Sequence, residues 1–276
     1  MSPSQNLAEE IAARNVFHGS VVTWWLGGAG FAFKLPSGRQ LWIDPYLSNV
    51  VEDLFGLARA FPPPISAETA RPEVIVSTHW HEDHLDPGCI PTIAKNSTHT
   101  KFVMPPSAIP RAMSWGVPRD RIVPLVWGER LTIAGFELLA VPARHEAGIA
   151  GWEVPDAMGI ILENEGLKIY HTGDTEYDLR LRALKKQRPD VILACMNGVG
   201  GNMNAHEAAL LAWQLGAAYV VPMHHLLWAT NPAGDEATLD PQLLKDTYRK
   251  LGGTGRVILP VVGEPLELRP RGCERE

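Results

Sequence analysis

Short apolar runs return along most of the chain, and several lead into a polar group: VIVST from Val74, KFVMP from Lys101, RIVPLV from Arg121, FELLAVPA from Phe136, MGIILE from Met158, LKIYHTG from Leu167, VILAC from Val191, YVVPMH from Tyr219 and VILPVV from Val257. A run that is apolar at consecutive positions offers no face to water, so it predicts a strand covered on both sides. Helical patterns lie between several of them. PSAIPRAMSWG is a short one. NAHEAALLAWQLG starts with Asn204 as N-cap, has Glu207 three residues on in a capping-box position, and stops at Gly216. DPQLLKDTYRKLGG carries apolar residues at helical spacing and ends at a glycine pair. Strands early, with helices inserted more often later, indicate mixed sheets covered by helices, an α/β layered fold.

The segment before these runs is read as a short amphipathic helix, LAEEIAARNVF, and then a β-meander from Val21 to Leu47 broken by Gly, Pro-Ser-Gly and Asp-Pro turns. Between Glu52 and Pro72, FPPPISAETARP is rich in proline and small residues and predicts an irregular loop, a kind that often walls a site. With 276 residues and 45% hydrophobic content, one large core is affordable. We expect a single domain over 1–276, with residues 1–18 as a helical extension.

Other function classes recede on composition. No run of eighteen apolar residues exists, so stable membrane insertion is not expected, and the acidic N-terminal segment is unlike a signal peptide. Cys89, Cys195 and Cys273 are odd in number and widely spaced, which suits a reducing, cytoplasmic setting. A net charge of −6 with intermixed signs gives no basic field for nucleic acid.

The chemistry concentrates in VIVSTHWHEDHLD, Val74 to Asp86. A lone loop histidine is ordinarily just solvated. His79, His81, Asp83 and His84 together, at the exit of a buried strand, form an HxHxDH pattern of imidazole and carboxylate donors that zinc, iron and manganese accept. The cluster alone leaves open a closed structural site or a catalytic one. Later strands add candidates at their ends: His145 after FELLAVPAR, Asp174 after LKIYHTG, and His224 with His225 after VVPM, of which one is not a ligand. Asp44, ending LWID, is a candidate partner for a ligand histidine, or only the start of an Asp-Pro turn. Trp24 and Trp25 are expected in the core, and Trp80 turned away from the ligands.

These segments resemble the metallo-β-lactamase superfamily and, within it, the L-ascorbate-6-phosphate lactonase-like branch of metal-dependent hydrolases. The matching stretches are WWLGGAGF, LWIDPYLS, STHWHEDHLD, HTGDT and VPMHHLLW. The resemblance implies a four-layer αβ/βα sandwich of two mixed β-sheets with metals at one edge. It implies one metal on His79, His81 and His145, a second on Asp83, His84 and His224, and Asp174 bridging them. The cofactors would be two divalent ions, manganese or zinc, with iron a third option, and the nucleophile a bridging hydroxide. Asp83 could also orient the attacking water or accept its proton, and His225 could donate a proton or contact substrate. The expected function is a lactonase opening a small, anionic, sugar-derived cyclic ester, in a chain that its relatives suggest is a homo-oligomer. The rivals are a phosphodiesterase of the N-acylphosphatidylethanolamine phospholipase type, which shares the THxHxDHLD segment, and a non-catalytic metal-binding regulator.

Overall fold

The computed structural model describes residues 3–146, 148, 150–229 and 239–272, with side chains from residue 7 onward. Strands β1 (Val21–Gly27), β2 (Gly30–Lys34), β3 (Gln40–Ile43), β4 (Val74–Val76), β5 (Lys101–Met104) and β6 (Ile122–Pro124) lie side by side in one sheet. Strands β7 (Arg130–Ile133), β8 (Phe136–Pro142), β9 (Met158–Asn164), β10 (Leu167–His171), β11 (Val191–Cys195) and β12 (Tyr219–Met223) lie side by side in a second. The chain returns to complete both: β13 (Arg256–Val257) pairs with β12, and β14 (Pro265–Leu268) with β1. Pairing is antiparallel from β14 through β3 and from β7 through β10, and parallel from β3 to β6 and from β10 to β13. Both sheets are therefore mixed, as the sequence suggested.

Burial on both faces explains the unbroken apolar runs. Val21, Trp25, Phe31, Phe33, Leu41, Ile43, Val74 and Val76 join a core with Leu138, Ala140 and Ile160 of the second sheet. Their neighbours Val22, Trp24, Ala32, Trp42 and Ile75 point the other way, toward Leu7 and Ile11 of α1 (Pro3–Ala13) and Ile90 and Ile93 of α3 (Ile90–Asn96). Each such fully buried large side chain contributes roughly 1.5–3 kcal/mol. Helix α4 (Ile109–Ser114) covers the same outer face through Ala112. Helices α5 (Ala205–Leu215) and α6 (Pro241–Lys250) send Leu211, Leu215, Leu244 and Tyr248 into the core beside the second sheet. The order is helix, sheet, sheet, helix. Lys34, 4% exposed, reaches from β2 to the Ile11 and Ala12 carbonyls at 2.8 and 2.6 Å, so the C-terminal end of α1 is tied to the first sheet.

Some elements depart from expectation. The loop expected from Glu52 begins with the last turn of α2 (Val50–Phe55). Within VILPVV only Val257 belongs to a strand, and Val262 adds an isolated bridge to Trp25; Pro260 between them has no N–H to donate. RLTI and PLEL, unread in the sequence, form β7 and β14 at sheet edges, where partial exposure permits a polar composition.

The topology brings strand ends to one rim. Asp44 follows β3, His79 follows β4, Asp174 follows β10, and His224 follows β12. All four of these strands belong to the parallel parts of their sheets, where successive C-terminal ends share an edge.

Candidate metal centre

The histidines expected as ligands converge in two groups. In the first, Nδ1 of His81 lies 3.0 Å from Nε2 of His79 and 3.0 Å from Nε2 of His145. In the second, Nε2 of His224 lies 3.3 Å from Nε2 of His84 and 3.2 Å from Oδ2 of Asp83. Asp174 stands between them: its Oδ2 is 3.4 Å from His84, 3.3 Å from His224 and 3.9 Å from His145. Donor atoms of His79, His81 and His145, of His79, His84 and Asp174, and of Asp83, His84 and His224 all lie within 4.8 Å of one another in each set.

Proton sharing does not satisfy this arrangement. One proton on the His81 nitrogen can point to only one of the two facing nitrogens, and the remaining lone pairs would oppose each other. Donors about 2.0–2.1 Å from a tetrahedral cation stand about 3.3 Å apart, close to the observed spacings. Imidazole and carboxylate donors without thiolate suit zinc, manganese or iron. The residues present thus fit a divalent metal.

Electrostatics agree. Burial pushes the pKa of His79 well down, with His84, His81 and His145 adding to the effect. Burial also opposes charge on His84, but Asp174, Asp83 and Asp44 outweigh it and hold that ring well above its ordinary value. For Asp174 burial favours the neutral acid, yet the His224 and His84 rings keep its carboxyl well below the usual range. A site that holds its carboxylates ionised while buried asks for positive charge, which a divalent cation would supply.

Backbone and neighbours aim the donors. Asp44 Oδ2 meets Nδ1 of His84 at 2.8 Å and accepts from the Thr78 hydroxyl at 2.7 Å, while its Oδ1 accepts from the Thr78 N–H at 2.7 Å. It is a partner of His84, one of the clustered histidines, and more than the start of a turn. Nε2 of His81 faces the Trp152 carbonyl at 3.1 Å, leaving Nδ1 for the cluster. Asp44 and His224 both have left-handed backbones, with φ of 48° and 59°, rare for non-glycine residues and concentrated at functional sites. Gly173, φ 60°, turns the chain into Asp174 where a side chain would strike the Met158 carbonyl.

Asp86 anchors the motif loop, accepting from Leu47 N at 2.8 Å and from the Ser48 hydroxyl at 2.6 Å. His225 is placed otherwise than the sequence suggested. Its ring stacks on Trp25 at 4.9 Å, it does not line the cavity beside the cluster, and burial lowers its pKa to about 4. The left-handed turn at His224 sends the two rings apart, His224 to the cluster and His225 against Trp25. Trp24 and Trp25 are core residues, and Trp80 lies under the Arg111 guanidinium, 4.0 Å away.

Residues missed in the sequence complete the site. Asn202 donates to Asp174 Oδ2 at 2.6 Å, and the Asn197 amide faces Nδ1 of His224 at 3.1 Å. Asn197 follows β11 as His224 follows β12, in parallel register, so a strand-end search extended to amides would have found it. Beside the cluster is a cavity of about 170 Å³, lined among others by Val51, Phe55, Glu146, Trp152, Val199 and Trp228.

Comparison with known proteins matches residues 39–225 to the beta-lactamase superfamily domain family. A Shigella boydii protein named "probable L-ascorbate-6-phosphate lactonase" is 22% identical over 88% of this chain and 80% of its own length. A Salmonella heidelberg protein of the same name is 23% identical over 87% of this chain and 77% of its own. Among solved structures, a metallo hydrolase of Ignicoccus hospitalis aligns at TM-score 0.68 and 21% identity, covering 91% of this chain and 100% of that one. An isothiocyanate hydrolase from Delia radicum gut bacteria aligns at TM-score 0.68 and 17% identity, covering 90% and 99%. These structural likenesses establish the four-layer fold.

Proposed function

The chain belongs to the beta-lactamase superfamily and is a metal-dependent hydrolase, and from that premise we propose that it opens small cyclic esters by attack of water on the ring carbonyl. His79, His81 and His145 would hold one divalent cation, Asp83, His84 and His224 a second, and Asp174 would touch both. Bound there, manganese, zinc or iron would lower the pKa of a coordinated water from about 15.7 toward roughly 7 and polarise the substrate carbonyl. The observation that carries the proposal is the position of Asp174, whose one oxygen lies within 4 Å of histidines from both groups.

The remaining steps fall to the chain's own groups. The Asp83 side chain, 18% exposed against 5% for Asp174, lines the cavity, and it would orient the attacking water and take its proton. Asn202 holds Asp174 in place, and Asp44 fixes the tautomer of His84. The curated relatives' name supports a ring of sugar origin and anionic character, and the cations would draw negative charge to the reacting end. Further parts of the proposal are a single domain, a homo-oligomeric assembly and a cytoplasmic location. The single domain is supported by α1 joined to the outer core and the cytoplasmic location by the buried free thiols of Cys89 and Cys195, while the assembly rests on the resemblance alone; no described helix is long and apolar enough to cross a membrane.

Protein loaded with manganese or zinc should hydrolyse γ-lactones and leave bis(p-nitrophenyl) phosphate untouched. Turnover of the phosphodiester with no lactone opening would replace this reading by the phosphodiesterase one. Metal analysis of protein purified without added ions identifies the native cations.

A further inference from the structure

The cavity is two-sided. Its floor is the cluster, through His81, Asp83, His145, Asp174 and His224, and its outer wall is Val51, Phe55, Leu57, Trp152, Val199 and Trp228. Phe55 comes from α2 and Trp152 from the loop after His145, yet their rings meet at 5.6 Å across the mouth. Both are large apolar groups kept 46% and 40% exposed, an arrangement that leaves apolar area ready to be covered by a ligand. Trp152 is also joined to the floor, its carbonyl facing His81.

The charges along this wall are acidic. Glu82 and Glu146 line it in addition to Asp83 and Asp174, and among the described residues no Lys or Arg does. Glu82 is held by Arg111, so Asp83, Asp174 and Glu146 are the carboxylates left facing the cluster, and among the described residues no cationic side chain lines the outer wall to hold an anion at the far end of a substrate. Nearby arginines do not line the cavity. Arg111 pairs with Glu82 at 2.9 Å, Arg144 pairs with Glu176 at 3.2 Å, and Arg59 donates through Nε and Nη1 to the Phe61, Tyr46 and Ser48 carbonyls, with Nη2 buried and without a partner. Ala147, Ile149 and the stretch TNPAGDEAT at 230–238, which flank cavity residues in sequence and lie outside the described residues, contain no Lys or Arg.

We infer that the outer half of the cavity takes an uncharged apolar substituent, aliphatic or aromatic, laid against the touching rings of Phe55 and Trp152. The inference rests on the cyclic-ester reading and replaces its sugar-derived, anionic substituent with an apolar one. Negative charge then develops at the reacting carbonyl, and the far end of the substrate carries no phosphate. A phosphate there would be desolvated beside Glu146 with no cationic partner, which costs more than the apolar wall returns. An alkyl or aryl group would instead cover the two exposed rings.

The test uses metal-loaded protein and two γ-lactones with one ring, substituted at C5 by hexyl or by phosphonooxymethyl. The matching cyclopentanones, which have no ester to break, serve as binding probes followed by tryptophan fluorescence and calorimetry. The hexyl lactone should exceed the phosphorylated one at least tenfold in kcat/KM, and the hexyl ketone should bind tighter in the same order. Trp152→Ala and Phe55→Ala should each weaken the hexyl ketone by about tenfold and leave the phosphorylated ketone unchanged. Equal or better binding of the phosphorylated probe, or no binding of the hexyl ketone, overturns the inference. If neither lactone opens while the ketones rank as expected, the hydrolytic reading fails and the apolar subsite stands.

Discussion

Asp44 and Asp174 are both buried carboxylates at strand ends, but they act on the cluster in different ways. Asp174 places one oxygen among histidines of both groups, whereas Asp44 touches only the far nitrogen of His84 and the Thr78 N–H and hydroxyl. Removing the first takes away a donor; weakening the second releases the aim of a ring. Asp174→Ala is therefore expected to abolish hydrolysis and reduce bound metal with the fold retained. Asp44→Asn should cost roughly 10–100-fold in metal affinity or activity. Metal content by atomic emission, measured beside kcat and far-ultraviolet dichroism, checks both. Full activity in Asp174→Ala would contradict its place between the two groups. At this scale the sequence was informative about which residue types would meet, because HxHxDH and the strand-end polar groups are local patterns. It was silent on orientation, and His225, one residue from a candidate ligand, stacks on Trp25 instead.

Elements were legible where they carry their own start and stop signals. Helix α5 shows the capping box read from Asn204 and Glu207, with Asn204 accepting from the N–H groups of His206 and Glu207, and it ends at Gly216 in the left-handed region. Its cap faces solvent-side groups and lies outside the cluster, so Asn204→Ala is expected to destabilise the protein by about 1 kcal/mol without changing metal content. Urea unfolding of the metal-free protein measures the first part, and a loss far beyond that amount would mean the cap does more than terminate the helix. Helix α3 lacks a side-chain cap, α2 is six residues long, and β7 and β14 are polar edge strands. None of these has a periodic signature strong enough to stand out from loop composition, and neighbours stabilise them instead.

On the scale of the whole molecule, residues from both sheets supply the cluster, so a bound cation would crosslink the two halves of the sandwich. Ligand bound only by the folded state adds about 2.7 kcal/mol at a hundredfold excess over its Kd. Exhaustive chelation should therefore abolish hydrolysis and lower the Tm together, and readdition of manganese or zinc should restore both. Undiminished activity after chelation would end the case for metal chemistry.

The sequence by itself determined the burial of the strands and which polar groups stand at their ends, since both depend on patterns spanning a few residues. Only the tertiary structure decided which ring nitrogen faces the cluster, that Asn197 and Asn202 hold two of its members, and that Phe55 meets Trp152 across an acidic, apolar cavity. Those features arise where segments remote in the chain are pressed together by sheet packing, and no local pattern encodes the distance between them.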